Sequence, residues 1–103
     1  MKFVLSYTVR TGGSVEERVT AGEAAQKLLT NWTPSDKATI REWVQRCDGN
    51  GGFAIVEQDD PAELYRDLGT WSPWLEFQAF PVVDIGDTNA IQQEVLQKAR
   101  SVL

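Results

Sequence analysis

Between Gly51 and Val83 the chain reads GGFAIVEQDDPAELYRDLGTWSPWLEFQAFPVV. That run constrains the fold more than any other part of the sequence. It holds a turn, a strand, a capped helix, a tryptophan-rich loop and a second strand. Phe53 to Gln58 has the short apolar character of a strand, with Gly51-Gly52 ahead of it. Asp60-Pro61-Ala62-Glu63 is a helix start, with Asp60 as N-cap, Pro61 in the first turn and Glu63 closing a capping box. Leu64, Tyr65 and Leu68 supply that helix's apolar stripe. Trp71-Ser72-Pro73-Trp74 then leads into a strand over 75–83, where Pro81 points to a sheet edge or a bulge. The segment is half of a split βαβ sandwich.

The N-terminal half completes it. Over Lys2 to Arg10, Phe3, Leu5, Tyr7 and Val9 alternate with Val4, Ser6, Thr8 and Arg10, the period of a strand. Thr11-Gly12-Gly13 ends the strand, and Ser14 with Glu17 forms a capping box. The helix that follows carries Val15, Val19, Gly22, Ala25, Leu29 and Trp32 at three- and four-residue spacing, a stripe expected to pack on something flat. After the turn at 33–36, Lys37 to Cys47 reads as a second strand, with helix as the competing assignment. Ile40 and Val44 fall on one side of it, and Thr39, Arg41, Trp43 and Cys47 on the other. Asp48-Gly49-Asn50-Gly51-Gly52 is a hairpin turn to the next strand, with Asn-Gly supplying the positive φ. A terminal helix over 87–103 places Ile91, Val95, Ala99 and Val102 on one face.

The order is βαββαβ plus a helix. It predicts a single α+β domain over 1–103, a ferredoxin-like sandwich with a core over 1–84. Its two helices cover one face of a four-stranded antiparallel sheet. The other face stays open and partly apolar, which predicts a homodimer formed through it.

Charge and composition exclude several functions. A net charge of -5, with ten Lys and Arg in no run, disfavours nucleic acid as a partner. No stretch approaches the roughly 18 apolar residues of a membrane span, so no membrane partner is expected. The N-terminus lacks the long apolar core of a secretory signal. Cys47 is the only cysteine, which rules out an internal disulfide and suits a reducing, cytoplasmic setting. With no histidine in the chain, every scheme that needs its own imidazole is closed. Asp59-Asp60 and Glu16-Glu17 sit where helix N-termini favour negative charge, so they read as caps and no metal site is expected.

Gly51-Gly52-Phe53-Ala54-Ile55-Val56-Glu57, Asp60-Pro61, Trp71 with Trp74, and Phe80-Pro81-Val82-Val83 together resemble the small uncharacterised bacterial domains of the dimeric α/β-barrel superfamily. The resemblance spans about 1–84. It implies a ferredoxin-like fold and a homodimer whose sheets close into a barrel, and it implies no single activity. Members of that superfamily include cofactor-free monooxygenases, haem-degrading enzymes and small-molecule sensors. The haem branch commonly depends on a histidine, which is absent here.

Six residues are candidates for a site. Glu57 shares a strand face with Phe53 and Ile55. Facing an apolar cavity it would serve as a general base, and facing an edge it would pair with Arg41 across the hairpin. Tyr7, Arg41, Trp43 and Glu57 would line one cavity if the register allowed, with Tyr7 and Arg41 orienting an oxygenated ring and Trp43 stacking on it. Trp71 and Trp74 read either as the wall of a ligand pocket or as packing at a core end or interface. Cys47, with no imidazole base, reads as a spectator thiol.

Three functions remain open. The leading one is a small-molecule-binding or sensing module with a partly apolar cavity and no cofactor. The second is a cofactor-independent monooxygenase or isomerase of an enolisable ring substrate, with Glu57 taking the proton, Arg41 steadying the anion and Trp43 holding the ring. The third is a structural protein–protein adaptor.

Overall fold

The alternation in the first strand decides which side of the sheet becomes the core. In the computed structural model, which describes residues 1–10 and 12–103, Phe3, Leu5 and Tyr7 are buried while Val4 and Ser6 between them are half-buried. The turn expected at Thr11-Gly12-Gly13 lies partly outside the described residues, at Thr11. The elements run β1 (Lys2–Val9), α1 (Val15–Asn31), β2 (Thr39–Gln45), β3 (Gly51–Glu57), α2 (Pro61–Trp71), β4 (Leu75–Val82) and α3 (Ile85–Val102). The sheet order is β2-β3-β1-β4 with every neighbouring pair antiparallel. This is the α+β, ferredoxin-like arrangement with an added C-terminal helix.

Register assigns each side chain to a face. Phe3 opposes Val56 and Leu5 opposes Ala54, so these four meet on the helix-covered side, where Leu64 of α2 closes the core over them. Burying such aliphatic and aromatic groups contributes roughly 1.5–3 kcal/mol each. β4 is an edge strand, which accounts for Pro81: a residue without an N–H is tolerated where one side of the strand has no neighbour. Asp60 caps α2 as its sequence signals, with its side chain accepting from the Ala62 N–H at 2.9 Å. Ser14 caps α1 in the same way, accepting from the Glu17 N–H at 3.1 Å.

Three expectations for the β2–β3 hairpin need correction. Between Ile40 and Glu42 the β2–β3 pairing slips by one residue, Ile40 opposing Val56 and Glu42 opposing Ile55. This bulge at Arg41 breaks the simple alternation, so Ile40 and Trp43 share the core side while Val44 turns to the open side opposite Phe53. The β2 strand is also shorter than 37–47, because Lys37 takes a φ of 64° in the preceding turn. In the hairpin the positive φ falls on Gly49, at 76°, rather than on Asn50-Gly51. Asp48 shapes that turn, its Oδ1 accepting from the Asn50 N–H at 3.0 Å.

The helices differ from expectation in how they pack. The α1 face turned to the sheet carries Arg18, Ala21, Gly22, Ala25, Gln26 and Leu29. Val19, about 100° round the helix from Arg18, is 54% exposed, and no α1 residue is buried. α3 begins at Ile85, two residues before the expected start, and its stripe of Ile91, Val95 and Val102 is exposed.

Gln58 is the one buried polar side chain among the described residues, at 3% exposed. It is fully employed: its Nε2 donates to Asp36 O at 3.2 Å, its Oε1 accepts from the Asp60 N–H at 3.1 Å, and its own N–H donates to Met1 O at 2.8 Å. A buried amide with partners on three segments ties the β2 entry, the α2 cap and the β1 start together.

Two predictions follow from these contacts. A Cβ on Gly52 would lie 2.1 Å from Val44 O and 2.3 Å from the Tyr7 hydroxyl, whereas one on Gly69 meets nothing within 4 Å. Gly52→Ala is expected to cost about 2 kcal/mol or more, lowering Tm by about 10 °C. Gly69→Ala, inside α2, is expected to leave Tm unchanged or raise it. Thermal denaturation of both variants checks this, and equal melting temperatures would contradict it. Second, the Asn50 N–H and then the Arg46 guanidinium hold the Asp48 carboxyl below its usual 3.8. A depressed folded pKa means that its stabilising effect is complete above the unfolded value and lost as pH falls through the folded one. A carboxyl-carbon NMR titration should give a midpoint below 3.8, and a midpoint at or above that value would contradict the turn geometry.

Candidate functional site

Tyr7 starts the site because glycine lets it lie flat. Its ring crosses β3 at Gly52, where any side chain would collide with it. From there its hydroxyl donates to Val44 O at 3.0 Å and accepts from the Trp43 indole N–H at 3.0 Å. The β2 bulge makes the second bond possible, since it turns Trp43 to the core side.

Trp43 is one of four tryptophans, the chain's full complement, and all four converge. Trp71, buried at the C-terminal end of α2, is the centre. Its ring lies 5.6 Å from Trp32, 5.7 Å from Trp43 and 6.3 Å from Trp74. Trp32 and Trp43 are 6.1 Å apart. Interplanar angles of 86°, 86° and 89° among Trp32, Trp43 and Trp71 are edge-to-face, the arrangement that the ring quadrupole favours. Each such pair contributes about 0.5–1.5 kcal/mol beyond burial. The Trp71 Nε1–H is buried and has no hydrogen-bond acceptor among the described residues.

Two cavities flank this cluster. One, between the sheet and α2, has a volume of about 50 Å³ and is walled by Leu5, Trp32, Ile40, Trp43, Leu68 and Trp71 among others. Asp67 reaches its edge, and its carboxylate is engaged by Ser35, whose N–H and hydroxyl donate to it at 3.0 and 2.7 Å. The other is a cleft of about 660 Å³ between α1 and the sheet. Tyr7, Trp43, Trp71, Trp74 and Leu75 form its aromatic wall, and Ala21, Gly22, Ala25 and Leu29 of α1 form the opposite one. Arg10, Arg18 and Glu17 supply its charges. The small residues of α1 keep the helix wall low and leave the space open.

The six sequence candidates therefore divide between the faces. Tyr7, Trp43, Trp71 and Trp74 come together at the cleft. Arg41 and Glu57 lie on the other side of the sheet, where the Arg41 Nε and Nη2 reach Glu57 Oε2 at 2.8 and 2.7 Å. That is the cross-hairpin pair, with the Glu57 side chain 35% and Arg41 60% exposed. The four-residue constellation of Tyr7, Arg41, Trp43 and Glu57 is not assembled within this chain, because the β1–β3 register puts Tyr7 and Glu57 on opposite faces and the bulge separates Arg41 from Trp43. Cys47 is exposed and free.

Three residues of the tryptophan cluster and the cleft are not marked as site residues by the sequence. Trp32 was one of a helical stripe, but it caps α1 and turns into the cluster. Arg10 and Arg18 were ordinary charges until the fold aimed them at one space. Among the described residues, no three His, Cys, Asp or Glu side chains gather as a metal would require, and no helix is long and apolar enough to cross a membrane.

No curated protein matches the chain. One family model does, over residues 1–96, and it covers every element of the sheet, α1, α2 and most of α3. All the tryptophans and both cleft arginines lie inside that match. The chain is a member of the family described as Domain of unknown function (DUF3303).

Proposed function

We propose that this protein is a small-molecule-binding module that takes a flat apolar or aromatic ligand into the cleft between α1 and the sheet. The cleft itself carries this reading. Its volume of about 660 Å³ falls within the roughly 300–1,000 Å³ typical of ligand pockets, and such pockets are mainly apolar with a few polar groups. Indole faces and edges offer a rigid contact surface that costs little conformational entropy on binding. The helix wall supports the same reading, since α1 buries no residue of its own and presents its sheet-facing side to the cleft.

The open face of the sheet has a separate role in this proposal. Val44, Phe53 and Phe80 are each about half exposed there, beside Val4, Ile55 and Val82. A patch of that kind is a partner surface, and a second copy of the chain, sheet against sheet in a dimeric α/β barrel, covers it with two-fold symmetry. A reducing, cytoplasmic setting belongs to the same reading, supported by the exposed free thiol of Cys47.

Two outcomes test this. In isothermal titration calorimetry, 2-naphthylmethanol is expected to bind the full chain, with Trp74→Ala weakening it by about tenfold and Glu57→Gln leaving it unchanged. Absence of binding, or its loss in Glu57→Gln alone, would contradict the cleft as the site. In sedimentation velocity the chain is expected to run as a dimer, and Phe53→Glu with Phe80→Glu as a folded monomer. A monomeric native chain would contradict the sheet-to-sheet interface.

A further inference from the structure

The charges of the cleft run against those of the chain. The protein carries a net -5, yet the ionisable groups lining the cleft are Arg10, Arg18, Glu17 and the weakly acidic Tyr7. At neutral pH that leaves one positive charge in excess. Neither arginine has a carboxylate partner among the described residues, whereas Arg41, Arg46 and Arg66 each do.

Arg10 is also held in place. Its backbone N–H donates to Trp74 O at 2.8 Å, and its Nε–H donates to Ser72 O at 2.7 Å. Both acceptors belong to the loop that follows Trp71. An arginine has five N–H donors, so fixing the Nε leaves the four terminal ones, arranged as a fork that matches a carboxylate. Anchoring the side chain in advance removes much of the entropy that an exposed arginine loses on binding an anion.

The aromatic wall adds a further unfilled donor. Trp71 is 7% exposed, and its buried indole N–H has no acceptor among the described residues. A buried donor left unpaired is unfavourable, and an incoming acceptor relieves that cost. Flat indole surfaces and a strapped guanidinium therefore line one cleft, and the unmatched N–H is buried within its aromatic wall.

Building on the cleft reading above, we propose that the ligand is a planar aromatic carboxylate, its ring against the Trp43–Trp74 wall and its carboxylate on Arg10, with Arg18 opposite. Arg10 and Arg18 then set specificity for charge, while the tryptophans supply the apolar contact.

Matched probes separate this from the cleft reading itself. Calorimetry compares 2-naphthoate with the neutral 2-naphthylmethanol on the full chain, on Arg10→Gln and on Arg18→Gln, with circular dichroism to confirm folding. The expected result is a preference of about tenfold or more for naphthoate, reduced toward unity in Arg10→Gln while alcohol binding persists. Arg18→Gln is expected to reduce it to a lesser degree. The naphthoate advantage should also shrink in the native chain as salt rises from 0.05 to about 0.5 M, a readout that needs no variant to fold. Equal affinity for the two probes in the native chain, or a preference insensitive to both salt and Arg10→Gln, would overturn the carboxylate assignment and leave the cleft standing. Failure of both probes to bind would overturn the cleft reading and this inference together.

Discussion

The edge-to-face packing around Trp71 ties together the elements that border the cleft on the helix-covered side of the sheet. It joins the end of α1 through Trp32, the β2 edge strand through Trp43, and the loop into β4 through Trp74. α1 contributes no buried residue, so Trp32 at its C-terminal end is the natural pivot on which the helix is held. The result is a helix fastened at one end and spaced from the sheet along the rest of its length by Ala21, Gly22 and Ala25. A conventional amphipathic helix would have filled that space with leucine and isoleucine and left no cleft.

On β2 the face that each side chain joins is set by a single extra residue. With Arg41 accommodated as a bulge, the residues on either side of it are re-aimed: Trp43 joins Tyr7, and Val44 joins Phe53. The Tyr7 hydroxyl then links Val44 O and the Trp43 indole, so the position of the bulge, the absence of a side chain at Gly52 and the seat of Tyr7 are mutually dependent. The Arg41–Glu57 ion pair occupies the opposite face. Held by two guanidinium contacts and in touch with solvent, it is a cross-strand tether at the sheet edge.

Much of the fold was legible because it was written in local chemistry. The odd-numbered residues of β1 named their own face, Asp60-Pro61 announced α2, and Pro81 marked β4 as an edge. The site was less legible, for physical reasons. A β-bulge leaves no signature in an alternation that tolerates Thr39, Arg41 and Trp43 equally, so the face of Trp43 was read incorrectly relative to Ile40. Spacing in α1 grouped Val15 and Val19 with Leu29, but the face turned to the sheet runs through Arg18, Ala21, Gly22 and Ala25, which leaves both valines exposed. Trp71 and Trp74 stood out around the Ser72-Pro73 turn, but that they would meet Trp32 and Trp43 is a property of the sheet order. Arg10 gained its meaning only when the Ser72 and Trp74 carbonyls closed on it.

The indole region of a ¹H–¹⁵N correlation spectrum tests the account most directly, since it contains one signal for each of the four tryptophans. With 2-naphthoate added, the account predicts shifts at the Trp43, Trp71 and Trp74 indoles and at the Arg10 backbone amide, with the Phe53 and Phe80 amides unmoved. Shifts centred on Phe53 and Phe80, with the indoles silent, would place the ligand on the open face and contradict the cleft as the functional site.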